Sequence, residues 1–219
     1  MSKLAKALSG SAGNAAGGPP YVEDVFSTYL FTGNGSDQSI DNGIDIAGEG
    51  GLVWTKSRST ASSNELFDTE RGVNEVLYSD GTNDSDTLSN SLKAFNSNGF
   101  TMGNNLAANV SSRTGVSWSF RKAEKFFDVQ TWTGNSTAGR TIAHNLGSVP
   151  AVIITKRYDA SGAWWTVYHK NSPNSVGWLN ETNAFDGNNM QDYYGNGSSA
   201  VTPTSSVFTV SSSANLNGS

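Results

Sequence analysis

The sequence predicts an all-β protein, two related jelly-roll or β-sandwich-like repeats after a short flexible N-terminal tail. Three observations carry that expectation. Short runs rich in β-branched and aromatic residues recur along the chain, separated by Gly, Asn and Asp turn signals. Gly, Ser, Thr and Asn dominate while charged residues make up only 15%, a mix that disfavours long helices. The chain also repeats itself at a shift of about one hundred residues, the mark of a duplicated supersecondary unit.

The matches keep their order. Phe31-Thr32-Gly33-Asn34 returns as Trp132-Thr133-Gly134-Asn135, and Ile40-Asp41-Asn42-Gly43-Ile44 as Ile142-Ala143-His144-Asn145-Leu146. Val53-Trp54-Thr55-Lys56 returns as Ile153-Ile154-Thr155-Lys156, Phe100-Thr101-Met102 as Phe208-Thr209-Val210, and Ala108-Asn109-Val110-Ser111 as Ala214-Asn215-Leu216-Asn217. The first copy closes on an alternating strand, Gly115-Val116-Ser117-Trp118-Ser119-Phe120, with no counterpart before Ser219. The second copy is therefore expected to lack its last strand, leaving an open edge and core face, and the chain reads as the front of a longer protein.

Taken in order, residues 1–20 form a separate Ala-, Gly- and Ser-rich leader ending in Gly17-Gly18-Pro19-Pro20, too poor in apolar residues to build a core. It reads as a flexible tail or as a tether that orders on a partner, with a short helix-competent stretch at 2–9. Strands are predicted in the first copy, 21–124, at 25–32, 39–46, 52–57, 65–68, 75–79, 91–95, 99–103 and 115–121. In the second copy, 125–219, they are predicted at 127–133, 139–143, 151–158, 163–169, 176–180 and 206–211. Many short strands at close spacing favour a sandwich or jelly roll. Arg121-Lys122-Ala123-Glu124-Lys125, the dense charge cluster between the copies, reads as an exposed connector or an inter-subunit contact, and 183–204 as an elaborated loop.

Composition narrows the function classes. A net charge of −5 and a pI near 4.9 argue against a phosphate-tracking surface, so no nucleic-acid partner is expected. With no cysteine, disulfides and thiolate metal sites are ruled out. No apolar run reaches the roughly eighteen residues of a membrane span, and Lys6 interrupts what would be the core of a signal peptide. Neither membrane insertion nor cleavage is expected.

The chemistry-bearing residues read mostly as structural. His144 and His169 are the two histidines, and no Gly-x-Ser-x-Gly elbow accompanies them. His144 is expected to bond local backbone, and His169 to end a strand face. Glu65, Asp68 and Glu70 cluster without an opposing carboxylate, so no catalysis and no cofactor are expected. Asp80, Asp84 and Asp86 offer oxygen ligands at alternating positions, a weak calcium candidate without the glycine and glutamate of an EF-hand. Trp164, Trp165, Trp178, Tyr193 and Tyr194, with nearby Asn, suit sugar stacking or burial in a homo-oligomer. Adjacent Trp164 and Trp165 should point opposite ways.

The runs Gly43 to Arg58, Phe67-Asp68-Thr69-Glu70-Arg71-Gly72 and Phe95 to Thr101 resemble a domain of marine-bacteriophage virion proteins. So do Trp118-Ser119-Phe120-Arg121-Lys122-Ala123 and Ala143 to Pro150. These are tail-fibre-like proteins of cyanophages and relatives, with a repeat unit like a concanavalin-type jelly roll. The resemblance implies a virion structural protein, the N-terminal part of a tail fibre or tail-associated appendage. By analogy with fibres, residues 1–20, with Lys3, Leu4, Lys6 and Leu8, would anchor it to tail proteins such as an adaptor or nozzle. A homotrimer and contact with a host surface glycan are the further expectations, and a capsid decoration protein or a carbohydrate-binding adhesin the alternatives.

Overall fold

A computed structural model describes residues 20–185 and 190–219. The anchor residues Lys3, Leu4, Lys6 and Leu8 lie outside the described residues. The chain is mostly β, with several antiparallel sheets and a few single helical turns.

The first half carries nine strands: β1 Phe26–Thr32, β2 Gln38–Asp41, β3 Gly51–Ser57, β4 Glu65–Asp68, β5 Glu75–Tyr78, β6 Asp86–Thr87, β7 Leu92–Asn96, β8 Gly99–Met102 and β9 Thr114–Arg121. Six of them form a sheet in the order β1-β9-β3-β4-β5-β6, and β2-β8-β7 form a second sheet. Phe31, Val53, Phe67 and Val76 from the first sheet meet Ile40, Leu92, Phe100 and Met102 from the second in one buried cluster. Strand β9 is central, paired along its length with β1 on one side and β3 on the other. Its alternation explains the placement. Ser117 and Ser119 turn inward and are fully buried, while Trp118 meets Trp54 on the outer face.

Two local expectations change. The alternation Ile44-Asp45-Ile46 does not extend β2, because the Asp45 carboxylate accepts from the Gly48 backbone N–H (2.8 Å) and starts a helical turn, Ile46–Glu49. A second turn, Val22–Val25, precedes β1.

Among the described residues, the second half carries five strands: β10 Arg140–Ala143, β11 Val152–Thr155, β12 Thr166–His169, β13 Gly177–Trp178 and β14 Val207–Val210. They pair as β10-β14 and as β11-β12-β13. Ile142, Phe208 and Val210 pack against Tyr168, Tyr194 and Leu216, with Trp132 and Ile153 at the margin. The predicted strand at 127–133 does not form. Its aromatic and β-branched residues suit a strand, but among the described residues only an isolated bridge of Phe127 to Ala123 pairs it, and no strand runs alongside.

Several interactions recur between the halves. Ile40 pairs with Phe100 across β2–β8, and Ile142 with Phe208 across β10–β14. Thr55 pairs with Glu65 and Glu65 with Tyr78, as Thr155 pairs with Thr166 and Thr166 with Trp178. An asparagine lock recurs too. Asn109 Nδ2 donates to the Ser36 carbonyl (2.7 Å) and its Oδ1 accepts from Asn34 N (3.2 Å). Asn217 Nδ2 donates to the Thr137 carbonyl (2.9 Å) and its Oδ1 accepts from Asn135 N (3.1 Å). Gly33 and Gly134 permit the close approach, since a Cβ on either would collide with the backbone beside the lock. Asn217 thus takes the role of Asn109, although the sequence match sets Asn215 there.

Candidate functional site

The halves meet over the outer face of the six-stranded sheet. Trp165, which immediately precedes β12, packs on Leu66 and Leu77 with Leu52 and Trp54 alongside, and its Nε1 donates to the Tyr78 carbonyl (2.8 Å). With Phe67 in the first-half core, this contact leaves both faces of β4 buried. Lys156 strengthens the junction by donating to the carbonyls of Ala163 (2.9 Å) and Thr82 (3.3 Å). Burial pushes its ammonium pKa down to about 8, with Arg157 adding to the drop and Asp84 and Asp159 opposing it.

The acidic loop belongs to the same junction. Asp84 Oδ1 accepts from Ser161 Oγ (2.6 Å), Ser85 N donates to the Tyr158 carbonyl (2.8 Å), and Gly162 N donates to the Thr82 carbonyl (2.8 Å). Asp80 is spent elsewhere, accepting from Asn64 N (3.0 Å), and Asp86 lies beside the Tyr78 hydroxyl. Asp80, Asp84 and Asp86 thus each have a partner of their own, and among the described residues no three His, Cys, Asp or Glu side chains gather to hold a metal.

The five aromatics separate into two groups. Trp165 and Tyr194 are buried, so neither is available as a surface contact. The Tyr194 hydroxyl lies 2.7 Å from Thr155 Oγ1 and donates to the Thr166 carbonyl (3.1 Å), and burial raises its pKa. Trp164 faces the other way and is 40% exposed. It leans on Trp178 at a ring separation of 5.0 Å, and Trp178 meets Tyr193 edge-on at 5.1 Å. The result is a contiguous aromatic strip on the second half, flanked by Asn180, whose Oδ1 accepts from Trp165 N (2.9 Å) and so fixes the turn.

The histidines make local bonds. His144 Nδ1 accepts from Leu146 N (3.3 Å), which leaves Nε2 protonated to donate to the Thr204 carbonyl (3.3 Å). His169 Nδ1 accepts from Asn171 N (3.2 Å). In the cluster Glu65, Asp68 and Glu70, Asp68 binds Arg71 at 2.7 Å in a buried pair that caps the turn after β4, and Glu70 pairs with Lys122 at 2.8 Å. Glu65 is buried on the core face, accepts from Ala107 N (3.0 Å), and has its pKa raised to about 7 by burial, with Asp80 adding and the Ala107 bond opposing.

Sequence reasoning passed over Glu65 as a buried acid, the paired Asn109 and Asn217, and the junction lysine. The first had a usable signal. Glu65 sits in a run, Glu65-Leu66-Phe67-Asp68, whose strand lies between two others and has both faces covered.

The family profile described as "Domain of unknown function (DUF7483)" matches residues 22–219, nearly all of the chain outside the leader. The chain belongs to this family. Neither a curated protein nor a solved structure matches it. The matched span takes in both halves, the junction and the aromatic strip, so this DUF7483 chain carries all of those features within its family region.

Proposed function

We propose that this DUF7483 chain is a structural and binding component of a bacteriophage virion, the N-terminal part of a tail fibre or tail-associated appendage, acting by contact and not by catalysis. It comprises two related jelly-roll-like sandwich units, 21–124 and 125–219, behind an anchor at 1–20. The recurring asparagine lock supports the duplicated unit, because independent sandwiches have no reason to share a buried Asn holding the same turn. The observation that carries the scaffold role is where the phage-like motifs fall. Phe67 to Gly72 forms the ion-paired turn after β4, Phe95 to Thr101 forms the β7–β8 hairpin, and Ala143 to Pro150 forms the histidine-held turn before β11. They are spent on turns and a hairpin.

The test is immunogold labelling of intact virions with an antibody against residues 36–120. Gold on the tail or its fibres supports the appendage. Gold over the head makes the chain a capsid decoration protein, and no labelling refutes the virion reading. A variant lacking residues 2–18 that still joins the particle would refute the anchor.

A second reading, a carbohydrate-binding adhesin module, is favoured by the strip Trp164–Trp178–Tyr193. Replacing Trp164 with Ala should then abolish retention on glycans of the host surface without lowering the melting temperature. Unchanged retention would contradict it.

A further inference from the structure

Strand β4 carries two buried acids that differ in company. Asp68 is matched by Arg71, whereas Glu65, only 4% exposed, has no cation paired with it among the described residues. Its row across the inner face of the sheet runs from Tyr78 on β5 through Glu65 and Thr55 to Ser117 on β9. The Thr55 and Ser117 hydroxyls are buried without a hydrogen bond, so neither donates to the carboxyl. Asp80, just past β5, adds negative field, and Asp86 lies beside the Tyr78 hydroxyl. What Glu65 does hold is a turn, through the Ala107 N–H that its Oε2 accepts at 3.0 Å.

That turn, Ala107–Asn109, clamps the loop between β1 and β2. Asn109 Nδ2 donates to the carbonyls of Ser36 (2.7 Å) and Gly103 (2.9 Å), and the Asn109 carbonyl accepts from Gly35 N (2.8 Å). Arg113 closes the far side. Its guanidinium donates to the Ala107 carbonyl (2.9 Å), and its own carbonyl accepts from Gly33 N (2.8 Å). Loop 33–36 is therefore held by 107–113, and Glu65 ties 107–113 to β4.

We infer that Glu65 is a proton-operated latch on this turn: protonated, it keeps 107–113 closed over loop 33–36, and ionised, it favours the open turn. A carboxylate in that place has one hydrogen bond where several acceptor sites need filling, and no counter-charge. Lifting the turn admits water to it, which links ionisation to opening. The sign follows from the closed state, where burial raises the carboxyl pKa to about 7 against an ordinary 4.5, with the Ala107 bond opposing and Asp80 adding. Opening is rarest below the ordinary value and reaches its full extent above about 7. The second half supplies an internal control. Thr166 stands where Glu65 does, and the loop at 135–137 is held by Asn217 with no acid in that place.

Hydrogen exchange of the full chain, read by mass spectrometry and corrected for the intrinsic effect of pH, provides the test. Between about pH 5.5 and about pH 8 the open population at 33–36 and 107–113 should rise at least tenfold, while 135–137 and 213–217 stay unchanged. Glu65→Gln, which keeps an acceptor for Ala107 N, should remove the rise. In the parent chain the Ala107 amide proton resonance should titrate with the same midpoint as the Glu65 carboxyl carbon, a readout that needs no variant. The inference is overturned if the two segments do not respond to pH, if 213–217 responds equally, if the rise survives in Glu65→Gln, or if the Ala107 resonance ignores the Glu65 titration.

Discussion

Strands β3 and β11 descend from near-matching sequences, Val53-Trp54-Thr55-Lys56 and Ile153-Ile154-Thr155-Lys156, yet one is paired along both edges and the other along one. The difference lies outside both strands. With β9 in place, β1 has a partner and forms seven residues of strand; where no such neighbour exists, the aligned segment 127–133 stays irregular. Strand formation here is a property of the pair and not of the run, because an extended backbone without a neighbour has half its polar groups unspent.

The contrast also shows in how each half holds its middle strand. The first places an acid, Glu65, where the second places Thr166, each opposite the matching threonine of the neighbouring strand. The first half gives that acid the Ala107 N–H and raises its pKa to about 7, whereas the second leaves the buried Thr166 hydroxyl without a partner.

The largest expected effect would uncouple the halves altogether. Trp165→Ala removes the ring that seats on Leu66 and Leu77 and should cost about 3–5 kcal/mol, by the usual scale for deleting a buried aromatic. Calorimetry should then resolve two transitions where the parent chain gives one. A single transition at unchanged temperature would mean that the junction contributes nothing.

Next in size is the acid. The folded-state pKa of Glu65, about 7, lies above its ordinary value of 4.5, so the folded chain holds the proton more tightly than the unfolded one. That contribution is full below the ordinary value and is lost as pH rises through about 7, and it amounts to about 3 kcal/mol. Urea titrations at a series of pH values should show the decline, and Glu65→Gln should flatten it. A decline that persists in the variant would assign it to another group.

The asparagine lock gives a paired test. Asn109→Ala and Asn217→Ala each strip a buried side chain from carbonyl and amide partners and should cost about 2 kcal/mol apiece. Chemical denaturation would measure both, and a large loss at one site with none at the other would break the correspondence of the halves. The smallest effect is a gain. Thr166→Val replaces a buried, unpartnered hydroxyl by a methyl group and should stabilise the second half by up to about 1 kcal/mol, read from the same titrations.

Much of this architecture was legible in the residues, and the exceptions share a cause. Alternation and turn signals located β3, β4, β8 and β9 within a residue or two, since each has a partner strand that its period-two pattern fits. The helical turn after Asp45 was hidden because a capping carboxylate outweighs a short apolar alternation. The partners of the acidic loop were not legible either, because Ser161, far along the chain, binds Asp84. The exposed strip was half legible. Adjacency separates Trp164 from Trp165, whereas the burial of Tyr194 depends on Thr155 and Thr166 across the core.

Amide hydrogen exchange compares the two strands directly, because protection reports on each edge's hydrogen bonds. The account predicts that β3 amides are protected along the strand and that the β11 amides turned away from β12 exchange far faster. Equal protection of β3 and β11 would contradict it.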